Sequence, residues 1–265
     1  MIPENLQKEL LWQKEGFEMY LEIIYMIWLR DIKRFYRDKT HLLSSLARPL
    51  LWLFTMGYGL KSSFIGFGGI NYTQFIFPGI ITMAILFTSM HSAITIVWDR
   101  EFGFLKEILV APISRTSIVA GKTISGSTLA LLEGTIVLIL APFVGVKLTL
   151  LIVLKVMVLM FLISFAFTSF GILIASRMTT AEGFGSIMNF VVMPIFFLSG
   201  SMFPITKLPS WLSTFVKIDP LTYGVDILRH IMLGTNQFPV ILSLSVLITF
   251  SVITSILAII NFNRS

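Results

Sequence analysis

Leu150–Ala175 reads LLIVLKVMVLMFLISFAFTSFGILIA, an apolar run interrupted by one charge, Lys155. An α-helix crosses about 30 Å of hydrocarbon with about 20 such residues, and this run exceeds that. The residues are apolar continuously and not in alternation, so a membrane β-barrel strand is excluded. In hydrocarbon every backbone amide must find its partner within the segment, and the run therefore predicts a transmembrane helix.

Five more stretches meet the same standard: roughly Leu42–Leu60, Tyr72–Trp98, Ile118–Val144, Phe184–Phe203 and Phe238–Phe262. Composition agrees with them. Of 265 residues, 55% are hydrophobic and 13% charged, against about 25% charged in a soluble domain. Too few polar residues remain to cover such a core. A soluble enzyme, a disordered chain and a disulfide scaffold are excluded, and cysteine is absent. The expected fold class is all-α integral membrane, with six transmembrane helices.

Basic residues orient the spans. With the N-terminus inside, Lys8, Lys14, Arg30, Lys33, Arg34, Arg37, Lys39, Arg100, Lys106, Arg115, Arg177 and Arg264 fall on inner segments. Outer segments hold Lys61, Lys147, Lys207, Lys217 and Arg229. That bias places both termini in the cytoplasm of a cell whose inner membrane holds the chain. The net charge of +6 is read as orientation and attraction to anionic headgroups, not as nucleic-acid binding. The opening MIPENLQKELL carries Glu4 and Glu9 where a secretory leader needs a basic and then an apolar stretch, so no leader is expected.

Three segments stand outside the spans. In residues 10–40, Phe17, Leu21, Ile24, Trp28, Ile32 and Phe35 form one helical face, with Glu15, Glu18 and Glu22 early and Lys33, Arg34 and Arg37 late. That charge order suits the helix dipole, and the face suits a helix lying on the inner leaflet. Residues 1–41 are thus expected as a cytosolic amphipathic interface helix, and 42–265 as the transmembrane domain. The inner loop 99–112, DREFGFLKEILVAP, sets Phe102, Leu105, Ile108 and Leu109 on one face of a short helix, suited to a partner's groove. The outer stretch 204–237 is too long and apolar for a bare loop, and predicts short re-entrant helices.

Chemical motifs mostly fail. Ala120-Gly121-Lys122-Thr123 resembles the end of a phosphate loop, but Thr116 stands where the first glycine is required. Gly121 and Ser125 read better as a small-residue helix contact. Ser199-Gly200 with a later His230 suggests an intramembrane serine hydrolase, yet Phe197 occupies the position its motif reserves for glycine. The three histidines are too scattered for a metal site. Glu133, deep in a span, is either a functional group or the acceptor of a hydroxyl on another helix. His91 between Ser89 and Ser92 is a weaker candidate of the same kind. These two are the possible intramembrane polar site.

Two stretches together resemble the permeases of type-2 ATP-binding-cassette (ABC-2) exporters. One is Arg100–Lys122, REFGFLKEILVAPISRTSIVAGK; the other is SGSMFPITKLPSWL followed by IDPLTYGVDILR, within Ser199–Arg229. Phe104 departs from the family pattern, where a smaller polar residue is usual.

The resemblance implies the membrane half of an ATP-driven exporter and no catalytic residue of its own. A second permease, identical or different, would pair with it, and two copies of a separate ATPase would dock beneath, binding ATP and Mg themselves. Arg100, Glu101, Phe102, Gly103, Leu105, Ile108 and Leu109 would form the coupling helix, with the N-terminal helix touching the same ATPase. Phe203, Pro204, Asp219, Pro220, Asp226 and Arg229 would belong to an outer gate. The form of the inner loop resembles the drug- and lipid-export branch more than the polysaccharide branch. The expected cargo is an amphipathic drug, lipid or lipid-linked molecule.

Overall fold

A computed structural model describes residues 4–59, 70–103, 114–205 and 208–264, with side chains from Glu18 onward except at 41, 42 and 58. Its elements are helices, and the described residues contain no strand. In chain order they are α1 (Glu4–Arg37), α2 (Lys39–Gly59), α3 (Tyr72–Ser92), α4 (Ile94–Glu101), α5 (Arg115–Leu138), α6 (Ala141–Val144), α7 (Leu150–Ala175), α8 (Ala181–Leu198), α9 (Ser210–Ile218), α10 (Pro220–Leu233) and α11 (Val240–Arg264).

Four helical stretches among the described residues are long and apolar enough to cross a membrane: Tyr72–Glu101, Leu150–Ala175, Ala181–Leu198 and Val240–Arg264. α2 and α5 stand where the first and third spans were expected, but they fall short of that standard. The reason is chemical. α2 carries Ser44, Ser45 and Arg48, while α5 carries Lys122, Thr123, Ser125, Ser127 and Glu133. The expected third span is also interrupted, because α5 ends at Leu138 and Pro142 starts the short α6, which stops at Gly145 (φ +83°).

Helix ends follow local chemistry. The Thr180 hydroxyl caps α8, accepting from Gly183 N–H at 3.3 Å. Asp219 caps α10 with Pro220 at its first position, and Gly234 (φ +72°) closes it in the left-handed conformation that glycine tolerates best.

α3 lies at the centre, with Phe77, Ile80, Ile81, Ile85 and Leu86 fully buried. Between apolar helices in lipid the attraction is close packing, so small residues mark the contacts. At Gly126 of α5 a Cβ would collide with Ser92 and lie 2.7 Å from Thr168, so α3, α5 and α7 meet there at backbone range. α1 packs along α5 through Ile23 and Ile27, with Ile27 filling the space at Gly121. The packed line is Ile23, Ile27 and Asp31. The face expected from the sequence is rotated from it: Leu21 is exposed, and Ile24, Trp28, Ile32 and Phe35 are half-buried.

Candidate functional site

Three polar centres are threaded through this apolar frame. The innermost joins three helices. Lys122 Nζ of α5 lies 3.2 Å from Asp31 Oδ2 of α1 and 3.4 Å from Asp99 Oδ2 of α4, and donates to the Thr95 hydroxyl at 2.9 Å. Arg30 closes the ring, 3.3 Å from Asp31 and 3.2 Å from Asp99, and the Ser125 hydroxyl donates to Asp31 at 3.2 Å. Lys122, Asp31 and Asp99 are buried. Gly121 and Ser125, expected as a helix contact, both face α1 here. The spacing gave Lys122 no partner; Asp31 signalled itself only as an acid four residues after Ile27 on a packed line.

The segment 99–112 begins as the end of α4. Arg100 donates to the Met178 carbonyl at 2.8 Å, and Glu101 accepts from Ala181 N–H at 2.9 Å, so both hold the turn between α7 and α8. α4 ends at Glu101, and Gly103 takes φ +83°. This corrects the expected single helix over 99–112. A left-handed residue at Gly103 ends the helix that holds Asp99, so a helix running on unbroken from Asp99 is interrupted there. Phe102 is 70% exposed. Leu105, Ile108 and Leu109 lie outside the described residues.

The second centre is Glu133, 1% exposed. The Ser45 hydroxyl of α2 donates to its Oε1 at 2.6 Å, and the Thr88 hydroxyl of α3 donates to Oε2. The carboxylate therefore ties α5 to α2 and α3 through hydroxyls, the second of its two sequence readings. Ser45 and Thr88 also line a cleft of about 330 Å³ with Arg48, His91 and Asn189. An aromatic contact joins α2, α3 and α8 beside it: Trp52 and Phe87 meet Phe196 edge-on, at centroid distances of 6.2 and 6.4 Å.

The third centre lies in the 204–237 segment, which holds the short helices α9 and α10. Arg229, 2% exposed, donates to the Gly200 carbonyl at 3.0 Å and lies 4.0 Å over the Phe75 ring. Burial lowers its pKa to about 10 despite Asp226 nearby. Asp226 accepts from Gln237 and Phe238 N–H at 2.8 and 3.1 Å, fixing the approach to α11. Burial raises its carboxyl above the usual range. Asp219 Oδ1 accepts from Leu221 N–H at 3.0 Å, while its buried Oδ2 has no hydrogen-bond partner among the described residues. Phe203 and Pro204 are half-buried. Next to them, Met202 accepts from the Tyr72 hydroxyl at 3.2 Å.

The hydrolase reading loses its nucleophile. Ser199 is fully buried, and its hydroxyl donates to the Phe196 carbonyl and lies 2.5 Å from Ser201 Oγ. Among the described residues there is no cluster of acids and histidines able to hold a metal ion.

Four long apolar helices around buried ionic and hydroxyl-bonded centres define a polytopic helical membrane protein. Comparison with known proteins places it further. The family described as ABC-2 type transporter matches residues 22–233, and the chain belongs to that family. It is 32% identical over 197 residues to nodulation protein J of Rhizobium leguminosarum bv. trifolii, covering 73% of this chain and 74% of that protein. It is 27% identical over 245 residues to the inner membrane transport permease YadH of Escherichia coli (strain K12), covering 88% and 92%. Nodulation protein J of Rhizobium meliloti (strain 1021) is 30% identical over 216 residues, covering 80% and 81%.

Proposed function

We propose that the chain is the membrane subunit of an ATP-driven exporter for an amphipathic drug, lipid or lipid-linked molecule. It pairs with a second permease, identical or different, and two ATPase subunits dock on its cytoplasmic side. The ATPase supplies nucleotide and Mg chemistry; the permease supplies a pathway whose access depends on the ATPase state. Both termini lie in the cytoplasm, α1 rests on the inner leaflet, and the 204–237 segment is the outer gate.

One observation carries the reading: the helix that enters the inner loop is wired to the rest of the bundle. α3 and α4 run from Tyr72, bonded to the outer segment, to Arg100 and Glu101, bonded to the turn before α8. Asp99 adds α1 and α5 through Arg30 and Lys122. A push on residues 102–112 would therefore reach α1, α5, α7 and α8 together. This is a two-state element that a ligand bound on another subunit can bias.

The test begins with the neighbouring reading frame, which should encode a soluble ATPase. That ATPase, co-expressed and captured with the permease, should be lost with Phe102→Ala and Leu105→Ala while both variants still insert. Anchors in a protein groove cost about 2 kcal/mol or more when truncated. Full association and transport in both variants would sink the coupling assignment.

A further inference from the structure

We propose that Arg48 is the recognition point for an acidic, phosphate-bearing lipid headgroup, which reaches it from the cytoplasmic side along a row of adjoining cavities. This rests on the exporter reading and names the substrate chemistry of its pathway.

The cavities share walls. A mainly basic vestibule on α1, lined by Arg30, Lys33, Arg34, Arg37 and Asp38, shares Arg34 and Asp38 with a narrow cavity of about 90 Å³ beneath α3 and α4. That cavity shares Thr88 and His91 with the 330 Å³ cleft between α2, α3 and α8. The cleft volume falls at the lower end of the roughly 300–1,000 Å³ typical of ligand pockets. It is room for a headgroup, with acyl chains left outside among the exposed apolar residues of α2 and α8, such as Leu51, Phe54, Phe190 and Phe197.

Charge decides what the cleft takes. Arg48 is exposed to it, nine residues into α2 and so roughly 14 Å along the helix axis from Lys39. Its guanidinium rests 4.2 Å over the Phe87 ring. No carboxylate among the described residues lies within ion-pair distance of it. Among the described residues no acid lines the cleft, and Glu133 is reached from it only through the lining Ser45 and Thr88. A planar cation open on one side, with the Asn189 amide within the same cleft, matches the bidentate acceptor that a phosphate offers. An arginine facing lipid chains at that depth would be disfavoured, whereas one facing a polar headgroup is compensated. Arg34, 4.7 Å over the Trp98 ring at the vestibule, offers a first station of the same kind.

The test is direct binding to the purified full-length chain in neutral detergent. The probe is radiolabelled short-chain phosphatidic acid, with phosphatidylcholine of the same chains for comparison and inorganic phosphate as competitor. Phosphatidic acid should bind more tightly than phosphatidylcholine. Arg48→Gln should weaken it about tenfold or more, as expected for losing a charge-assisted bidentate contact. Arg48→Lys, which keeps the charge but loses the bidentate fork and the stack on Phe87, should fall between wild type and Arg48→Gln, and Lys147→Gln, in the outer loop, should leave it unchanged. Displacement by millimolar inorganic phosphate would overturn the lipid source in favour of a free anion. Equal binding of the two lipids, unaltered binding by Arg48→Gln, or equal loss in Arg48→Lys and Arg48→Gln would overturn the proposal outright. ATPase capture is measured on the same preparations. If wild type fails to capture the ATPase, the exporter reading fails, whatever the lipid result.

Discussion

Lys122 Nζ sits 3.2 Å from Asp31 Oδ2, a contact between the helix after the inner loop and the N-terminal helix, 91 positions earlier. A buried ion pair gives little net stability against an apolar pair of the same shape, but breaking one partner leaves a charge stranded, at about 3–5 kcal/mol. Lys122→Met should therefore lower the melting temperature in detergent sharply, and expose α1 to limited proteolysis. Asp31→Leu combined with Lys122→Met should recover part of the loss. Asp99 retains Arg30 in that double variant, since Arg30 stands 3.2 Å from it. An additive double variant, with no recovery, would mean the pair is not the link between α1 and α5.

Glu133 makes a second prediction, because two hydroxyls from two helices depend on it. Glu133→Ala removes the carboxylate that accepts from Ser45 and Thr88 and opens a void, and a buried group left unsatisfied costs about 1–3 kcal/mol. Glu133→Gln keeps an acceptor for one of them and should be milder. Thermal unfolding of both variants, with transport measured beside it, separates the roles. Stability loss and transport loss in proportion mark a tie between helices. Normal stability with lost transport would make Glu133 a pathway group instead.

The apolar spans were legible because lipid demands continuous apolarity, which a single sequence displays. α2 and α5 were less so, since their polar residues serve contacts that only packing creates. The ring of Asp31, Asp99, Lys122 and Arg30 joins three separate segments, and no local spacing announces such a meeting. On α1 the sequence face followed the count of apolar residues, whereas packing chose the line that lets Ile27 fill the space beside Gly121. The break at Gly103 could have been foreseen: glycine just past a basic and acidic turn is an ordinary helix stop. Glu133's bonding to hydroxyls was legible in kind, but not its partners.

Arg229 anchors the 204–237 segment by one hydrogen bond to Gly200 and by its position over Phe75. Arg229→Lys keeps the charge but loses the planar stack and the reach of the fork. A desolvated cation–π contact is worth about 2 kcal/mol, and a charged hydrogen bond about 1.5–3 kcal/mol. Arg229→Ala should thus destabilise by a few kcal/mol, Arg229→Lys by less. Protease access at 204–210, read against melting temperature, locates the effect. Loosening confined to that segment is the expected result; uniform destabilisation with no local change would contradict it.

Asp219 predicts a pH dependence in the same segment. Burial lifts its carboxyl from an ordinary 3.8 to about 7, against the opposing pull of the Leu221 N–H and the Thr222 side chain. Between about pH 4 and pH 7 the folded protein thus holds a proton that the unfolded chain has released. Because the folded state binds more protons there, stability falls as pH rises through that window, and the contribution is gone above it. A tenfold difference in proton affinity between folded and unfolded chains is worth about 1.4 kcal/mol, so the full change is of the order of a few kcal/mol. Asp219→Asn keeps an acceptor for Leu221 N–H and does not titrate. Its melting temperature should fall less steeply from pH 5 to pH 8, and should exceed wild type at pH 8. Asp219→Ala loses the cap, worth about 1 kcal/mol, and should melt below Asp219→Asn throughout. Tyr223, whose hydroxyl donates to the Lys217 carbonyl at 2.8 Å, has its own pKa raised above 10.0 by burial and by Asp219, and does not titrate in this range. Parallel pH profiles for wild type and Asp219→Asn would show that the slope arises elsewhere and that this carboxyl stays ionised in the folded protein.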